Sequence, residues 1–561
     1  MAFQPTTTLN SYTIPGLLRK NVSLYPQNDC VVAPEYDVCW SWQEFDRRTD
    51  EVARGLYAMG IRKGDHVAIW ATNVPEWLLI MFATSKIGAI LVTVNTNYKQ
   101  FELNYLLTQS DTKMLVMIGG VKGNDYISHI TGLVPSLLTE DPENVSSPKL
   151  PFLKSVVLIG EAENKPKGMY SFSDFHSKAT EVEQSVVEEI IAGEDTHDTI
   201  NMQYTSGTTG FPKGVMLTHY NITNNGQFMG DCMKFTSEDR LLIVVPLFHC
   251  FGCVLGVMSC LTHGTTMVLM ERYNPLKEME ILVANRCTAV HGVPTMFIGM
   301  LEHPDFDQFD FSHLRTGIMA GSPCPIKTMQ DVTSKMHLSE LTITYGQTEC
   351  SPGMTMSRTD DPLELRVATV GKLLPNTEGK IIDPETGKEC PRGVPGEIIT
   401  RGYHVMKGYY KMPEATRQAI DEEGWLHTGD IGTMDEDGNF RITGRLKDMI
   451  IRGGENIYPR EIEEFMYTHP AIRDVQVVGV PDEKYGEEVC ACVILKDGCQ
   501  ANEPEMIEFV KSGLSRFKAP RYIMLLDSFP MTASGKIQKF KLREMGVKHL
   551  GLESADAIET A

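Results

Sequence analysis

His66-Val67-Ala68-Ile69-Trp70 is followed by Ala71-Thr72-Asn73-Val74-Pro75-Glu76-Trp77-Leu78-Leu79-Ile80-Met81-Phe82-Ala83-Thr84-Ser85-Lys86-Ile87-Gly88, and then by Ala89-Ile90-Leu91-Val92-Thr93-Val94. The first and last runs are mostly apolar and of strand length, as strands covered on both faces are. Between them, Asn73 offers a helix N-cap and Pro75 suits the first turn. Trp77, Leu78, Met81, Phe82 and Ser85 repeat at helical spacing, and Gly88 can end the helix. Strand, helix, strand over residues 64–95 is the connection that neighbouring parallel strands require. The alternation continues along the chain without internal repeats or long low-complexity tracts. It predicts an α/β architecture with largely parallel sheets.

The pattern changes near residue 430. Asp437-Gly438 separates Ile431-Gly432-Thr433-Met434 from Phe440-Arg441-Ile442-Thr443, which reads as a β-hairpin. A helix is expected over residues 459–467, opened by Pro459 with Glu461 and Glu463 at the positive end of its dipole. Strands are expected over 475–480 and 489–495. The domains expected are residues 1–446, a large unit of α/β layers, and residues 447–561, a small α+β unit of common domain size.

The chain has 561 residues, 42% of them hydrophobic, enough for a large core. Its net charge of -21, from 52 basic and 73 acidic residues, disfavours nucleic acid as a partner. The 13 cysteines are odd in number and sit in apolar runs such as Val489-Cys490-Ala491-Cys492-Val493. That fits a reducing, cytoplasmic setting. Residues 1–12 lack a signal-peptide pattern, and the last five residues carry no peroxisomal tripeptide. Residues 241–261 hold no Asp, Glu, Lys or Arg. Pro246, His249 and Gly252 interrupt this run where a spanning helix needs continuity, so it reads as buried strand, loop and buried helix rather than an integral membrane segment. Cys250, Cys253, Cys260 and His263 fall within or beside it, but the gap between pairs is shorter than zinc-site spacing.

Tyr204-Thr205-Ser206-Gly207-Thr208-Thr209-Gly210-Phe211-Pro212-Lys213-Gly214 is the stretch richest in phosphate-binding chemistry. Glycines let a backbone wrap phosphates, hydroxyls add donors, and Lys213 adds positive charge. By composition alone it is equally a flexible polar turn. It is not a Walker A loop, because Pro212 precedes the lysine, and no GxGxxG follows a strand.

This stretch resembles the phosphate-binding signature of the adenylate-forming superfamily: acyl-CoA synthetases, peptide-synthetase adenylation domains and firefly-type luciferases. Further segments of that family follow in order: Val245-Pro246-Leu247-Phe248-His249, Tyr345-Gly346-Gln347-Thr348-Glu349, Thr428-Gly429-Asp430, Gly444-Arg445-Leu446-Lys447-Asp448 and Ser534-Gly535-Lys536. The resemblance implies ATP, Mg²⁺ and coenzyme A as cofactors and a carboxylic acid as substrate. It implies that Thr205, Ser206, Gly207, Thr208, Thr209, Gly210 and Lys213 hold phosphates. Tyr345 would stack on adenine, with Gly321 also at the nucleotide. Thr348 would bind the α-phosphate and Glu349 the Mg²⁺, a hard cation that prefers oxygen ligands. Asp430 would accept from the ribose hydroxyls, and Arg445 would contact ribose or phosphate. His249 would stand beside the reacting acid.

Lys536 would carry the first step by bridging two mutually repelling anions, carboxylate and α-phosphate. Lys447 matches the family's hinge. The C-terminal domain is thereby expected to be mobile, presenting Gly453 and Gly454 to the pantetheine arm in the second step. Nine basic against two acidic residues between Lys511 and Lys548 suit a polyanionic partner.

No acid stands in Phe248-His249-Cys250-Phe251, where amino-acid-activating relatives keep an Asp. Gly346 replaces the Trp of acetate-activating relatives and is expected to leave acyl space. Arg452-Gly453-Gly454-Glu455-Asn456-Ile457-Tyr458-Pro459 looks most like medium-chain fatty acyl-CoA synthetases. Short branched or aromatic acids are the alternative, an oxidative luciferase-type activity a second, and a non-catalytic nucleotide-binding protein a third.

Overall fold

The computed structural model describes residues 7–160, 165–205, 212–321, 324, 326–445, 448–452, 455–482, 485–514, 516–531 and 537–552, without the side chains of residues 326, 445, 451, 455 and 456. The opening unit folds as expected. Strand His66–Trp70, helix Pro75–Lys86 and strand Ile90–Thr93 follow one another, and the two strands pair in parallel with Val67 beside Leu91. They lie in the middle of an eight-stranded sheet. Its order is Gly408–Tyr409, Lys213–Thr218, Thr199–Thr205, Ile90–Thr93, His66–Trp70, Met114–Met117, Ser155–Leu158, Tyr170–Ser171. A second sheet of seven strands runs Glu340–Thr342, Thr316–Met319, Ala289–Gly292, Arg240–Ile243, Thr266–Leu269, Asp29–Ala33, Val38–Ser41. In both sheets the central pairs are parallel; antiparallel pairing is confined to one edge of each sheet.

Helix Pro75–Lys86 differs from its amphipathic reading. Leu79, Ile80, Ala83 and Thr84, off the expected stripe, are as buried as Leu78 and Phe82. One core runs through the helix and takes Val67 and Ile69 from the first sheet and Val31 and Leu242 from the second. A helix inside such a core has no wet face. Even Lys86 is fully buried, its ammonium 2.6 Å from both Asp46 Oδ1 and Asp50 Oδ1. Such a charge is tolerated only when paired.

Asn73 does not cap this helix. Val74 holds the N-cap position and supplies no side-chain bond. Asn73 instead reaches the second sheet: Nδ2 donates to the carbonyls of Val245 at 3.1 Å and Met270 at 3.2 Å, and Oδ1 accepts from the Leu247 N–H at 2.9 Å.

The charge-free run at 241–261 forms strand Arg240–Ile243, a loop, and a buried helix. The helix is wound as a π-helix over Phe251–Met258 and as an α-helix over Ser259–His263. π-helical turns are rare and concentrate at functional sites. Among the described residues no helix is long and apolar enough to cross a membrane.

By its own packing the chain divides into one unit of residues 1–378 and 400–426 and another of 379–399 and 427–561. The second contains the hairpin of Leu426–Met434 and Phe440–Arg445, turned at Gly438 with φ +84°. It also contains a sheet centred on Ile472–Asp482 and Gly486–Leu495, with helices Pro459–Met466, Glu503–Gly513 and Lys539–Leu550. Apolar clusters cover both sheet faces: Val475, Val477 and Val489 on one, Val478, Cys490 and Leu542 on the other. The architecture is mixed α/β, a large N-terminal part followed by a small α+β part.

Candidate active site

The phosphate-loop candidate joins two antiparallel strands of the first sheet. Thr205 ends one and Lys213 starts the other, directly opposite each other. The stems are fixed from neighbouring elements: Tyr105 Oη donates to the Pro212 carbonyl at 3.0 Å, and Tyr204 Oη donates to Gln109 Oε1. Ser206, Gly207, Thr208, Thr209 and Gly210 lie outside the described residues. So do Lys447, Gly453, Gly454 and Lys536.

Strand Thr344–Gly346 carries Tyr345, half-buried, and pairs antiparallel with Gly353–Met356. Between them Thr348–Cys350 makes a single 3₁₀ turn. That turn aims Glu349 at the hairpin stem. Its Oε1 accepts from Tyr409 Oη at 2.8 Å and from Thr205 Oγ1 at 3.5 Å, and its carbonyl accepts from the Met406 N–H at 2.9 Å. The Lys213 ammonium stands 4.9 Å from the centroid of the Tyr409 ring. Three expected residues, Thr205, Lys213 and Glu349, are thus gathered around Tyr409, which sequence reasoning did not single out. Burial, and next the Glu349 charge, push the Tyr409 phenol far above its ordinary range, so it remains a donor.

Thr348 and His249 meet at Cys250, which the sequence offered only as part of a discounted metal pattern. Its Sγ lies 3.5 Å from Thr348 Oγ1 and 3.7 Å from His249 Nδ1, which also accepts the Phe251 N–H at 3.2 Å. The π-helix Phe251–Met258 begins here and is buried throughout. Gln203 Nε2 donates to Cys253 Sγ at 2.9 Å, and burial raises the thiols of Cys253 and Cys260. His263 faces the Asp231 carboxylate at 3.3 Å.

Gly346 departs from expectation. A Cβ there would fall 1.8 Å from the Pro352 carbonyl oxygen. Backbone of the adjoining strand, not empty acyl space, occupies that direction. Gly321 follows strand Thr316–Met319 with φ +90°, a conformation that favours glycine, at the carboxyl end of a parallel strand where such sheets place ligands.

In the second unit, Asp430 and Arg445 stand opposite each other across the hairpin. Asp430 is 4% exposed, and its N–H donates to Thr428 Oγ1 at 3.1 Å. Glu397 braces this strand, accepting the Gly429 N–H on Oε1 at 3.1 Å while Oε2 lies 3.0 Å from His427 Nδ1.

A strand hairpin bearing a hydroxyl and an ammonium donor, facing a carboxylate, has groups that can hold phosphates and a hard cation. The family model of AMP-binding enzymes matches residues 18–410, and that of the AMP-binding enzyme C-terminal domain matches residues 461–536. A putative acyl-CoA synthetase of Bacillus subtilis (strain 168), YngI, is 52% identical over 543 residues, 97% of this chain and 98% of its own length. The mitochondrial medium-chain acyl-CoA ligase ACSF2 of Homo sapiens is 39% identical over 549 residues, 97% of this chain and 89% of its own. The ATP-bound crystal structure of MatB from Rhodopseudomonas palustris superposes with a TM-score of 0.82 at 29% identity, covering 96% of this chain and 100% of that one. The chain belongs to the AMP-binding, adenylate-forming enzymes. Within them it is an AMP-forming acid–thiol ligase of the acyl-CoA synthetase type.

Proposed function

We propose that this enzyme joins medium-chain fatty acids to coenzyme A in two half-reactions. Carboxylate and ATP give acyl-AMP and pyrophosphate, and acyl-AMP and coenzyme A then give acyl-CoA and AMP. The observation that carries the reading is the meeting of Thr205, Lys213 and Glu349 at the hairpin stem. Thr205 and Lys213 would donate to the leaving phosphates. Glu349 presents only oxygen, in a setting of hydroxyl partners, and fits Mg²⁺, which when bound neutralises charge on the phosphates. Thr348 would donate to the α-phosphate, with His249 beside the incoming carboxylate. Tyr345 would stack on adenine with Gly321 alongside, and Asp430 would accept from the ribose with Arg445 nearby. Lys536 would offset the repulsion between carboxylate and α-phosphate. Residues 447–561 would then turn about Lys447, withdrawing Lys536 and presenting Gly453 and Gly454 to the pantetheine arm.

Two observations support a medium-chain acid: the apolar, buried helix behind His249 and Cys250, and the naming of ACSF2 as a medium-chain ligase. The test is pyrophosphate release with ATP and Mg²⁺ across straight-chain acids from acetate to palmitate and a set of branched and aromatic acids, with and without coenzyme A. A rate peak at intermediate length that turns over only with coenzyme A is expected. A peak with aromatic or branched acids instead would replace the acyl assignment. No release with any acid would overturn the ligase reading.

A further inference from the structure

We infer that Tyr409 is a positioning residue that holds Glu349 and Lys213 in register at the phosphate hairpin, setting the enzyme's affinity for its divalent cation. The inference rests on the proposed role of Glu349 as metal ligand. Tyr409 lies on the edge strand Gly408–Tyr409, paired antiparallel with Lys213–Thr218 so that it sits beside Val215, two residues from Lys213. Its N–H donates to Thr416 Oγ1 at 2.9 Å, and the next residue is tied down as well, the Tyr410 N–H donating to the Gly214 carbonyl at 2.8 Å. The ring is 8% exposed. A side chain so fixed presents two things at set places, a phenolic donor to Glu349 Oε1 and an aromatic face to the Lys213 ammonium.

Each contact solves a problem of the site. A carboxylate on a short turn needs a partner on one oxygen if the other is to face a cation. A charged partner would cancel the negative charge the metal requires. A neutral hydroxyl donor orients the carboxylate and leaves its charge intact. The ring face attracts Lys213 without neutralising it, so the ammonium remains available to phosphate.

The test uses the full-length enzyme and Mn²⁺ as probe. Binding of Mn²⁺ to enzyme with a non-hydrolysable ATP analogue is followed by the electron paramagnetic resonance signal of free Mn²⁺. Tyr409→Phe keeps the ring and removes the donor. It is expected to weaken Mn²⁺ binding about 10-fold, the lower end for loss of a group that supports a metal ligand. The Mg²⁺ concentration for half-maximal pyrophosphate release should rise by the same factor. Thermal unfolding of Tyr409→Phe beside wild type guards against a folding defect in the variant. Unchanged Mn²⁺ affinity in Tyr409→Phe, whatever its rate, overturns the inference. Glu349→Gln separates the two layers of the argument. If it too leaves Mn²⁺ binding unchanged, the metal role of Glu349 fails; if it weakens binding and Tyr409→Phe does not, only the positioning role fails.

Discussion

Asn73→Ala tests how the two sheets of the large unit hold the active-site loop. The Asn73 side chain is 3% exposed and makes three sound hydrogen bonds to the second sheet and the loop after it, at 2.9, 3.1 and 3.2 Å. At about 1 kcal/mol net per bond the truncation costs about 3 kcal/mol. The unit has about 400 residues. At about 2.1 cal/mol/K per residue, its unfolding entropy is about 0.85 kcal/mol/K, so the melting midpoint should fall by about 3–4 °C. The assay is thermal unfolding at a fixed scan rate. Leu247 also loses its acceptor two residues before His249, so the KM for the acid should rise more than the KM for ATP. Asn73→Asp keeps the acceptor but loses the donor, and places a buried carboxyl against carbonyl oxygens. Its folded-state pKa should be raised, so the variant should be most stable at low pH and lose stability as pH rises. A midpoint within about 1 °C of wild type for Asn73→Ala, on a scale where 1 kcal/mol is about 1.2 °C, would show that these bonds carry no net stability.

Lys536→Ala should slow acyl-AMP formation by about 10²-fold or more while sparing thioester formation from supplied acyl-AMP; equal losses in both half-reactions, measured separately, would refute a first-step role. Glu278 is fully buried, and burial raises its carboxyl from 4.5 to about 8. Its contribution to stability is present below pH 4.5 and is lost as pH rises through 8, so Glu278→Gln should flatten that part of a denaturation-versus-pH curve. Gly346→Trp should abolish activity and lower the melting midpoint rather than shift preference toward shorter acids, because even a Cβ meets the Pro352 carbonyl. A folded, active variant with a shorter acyl optimum would show that open space exists there after all.

Some of this was open to inspection in the chain, and some was not. Strand His66–Trp70 and helix Pro75–Lys86 were legible because hydrophobic period is local. The burial of Lys86 was not. A lysine at the end of an apolar run is normally a snorkelling residue, and only the arrival of Asp46 and Asp50 from another helix changes that. Asn73 misled for a related reason. Its position before Pro75 satisfies every local rule for a cap, yet the partners that claimed it are the strand ends at Val245 and Met270.

The site divides along the same line. Thr205, Lys213 and Glu349 stand in segments that resemble the family's motifs and follow in its order, and the resemblance nominated them. Tyr409 advertises nothing. It lies 60 residues from Glu349, in a two-residue strand outside the motif segments. Its role follows only from the antiparallel pairing with Lys213–Thr218, which carries the ring to the hairpin stem. A nucleotide site needs donors and acceptors that must appear as particular side chains, and these leave a trace in sequence. It also needs those charges held apart and aimed, and any rigid group delivered by the sheet can do that. Such groups are found from register, and the Mn²⁺ titration of Tyr409→Phe asks whether register alone is enough to identify one.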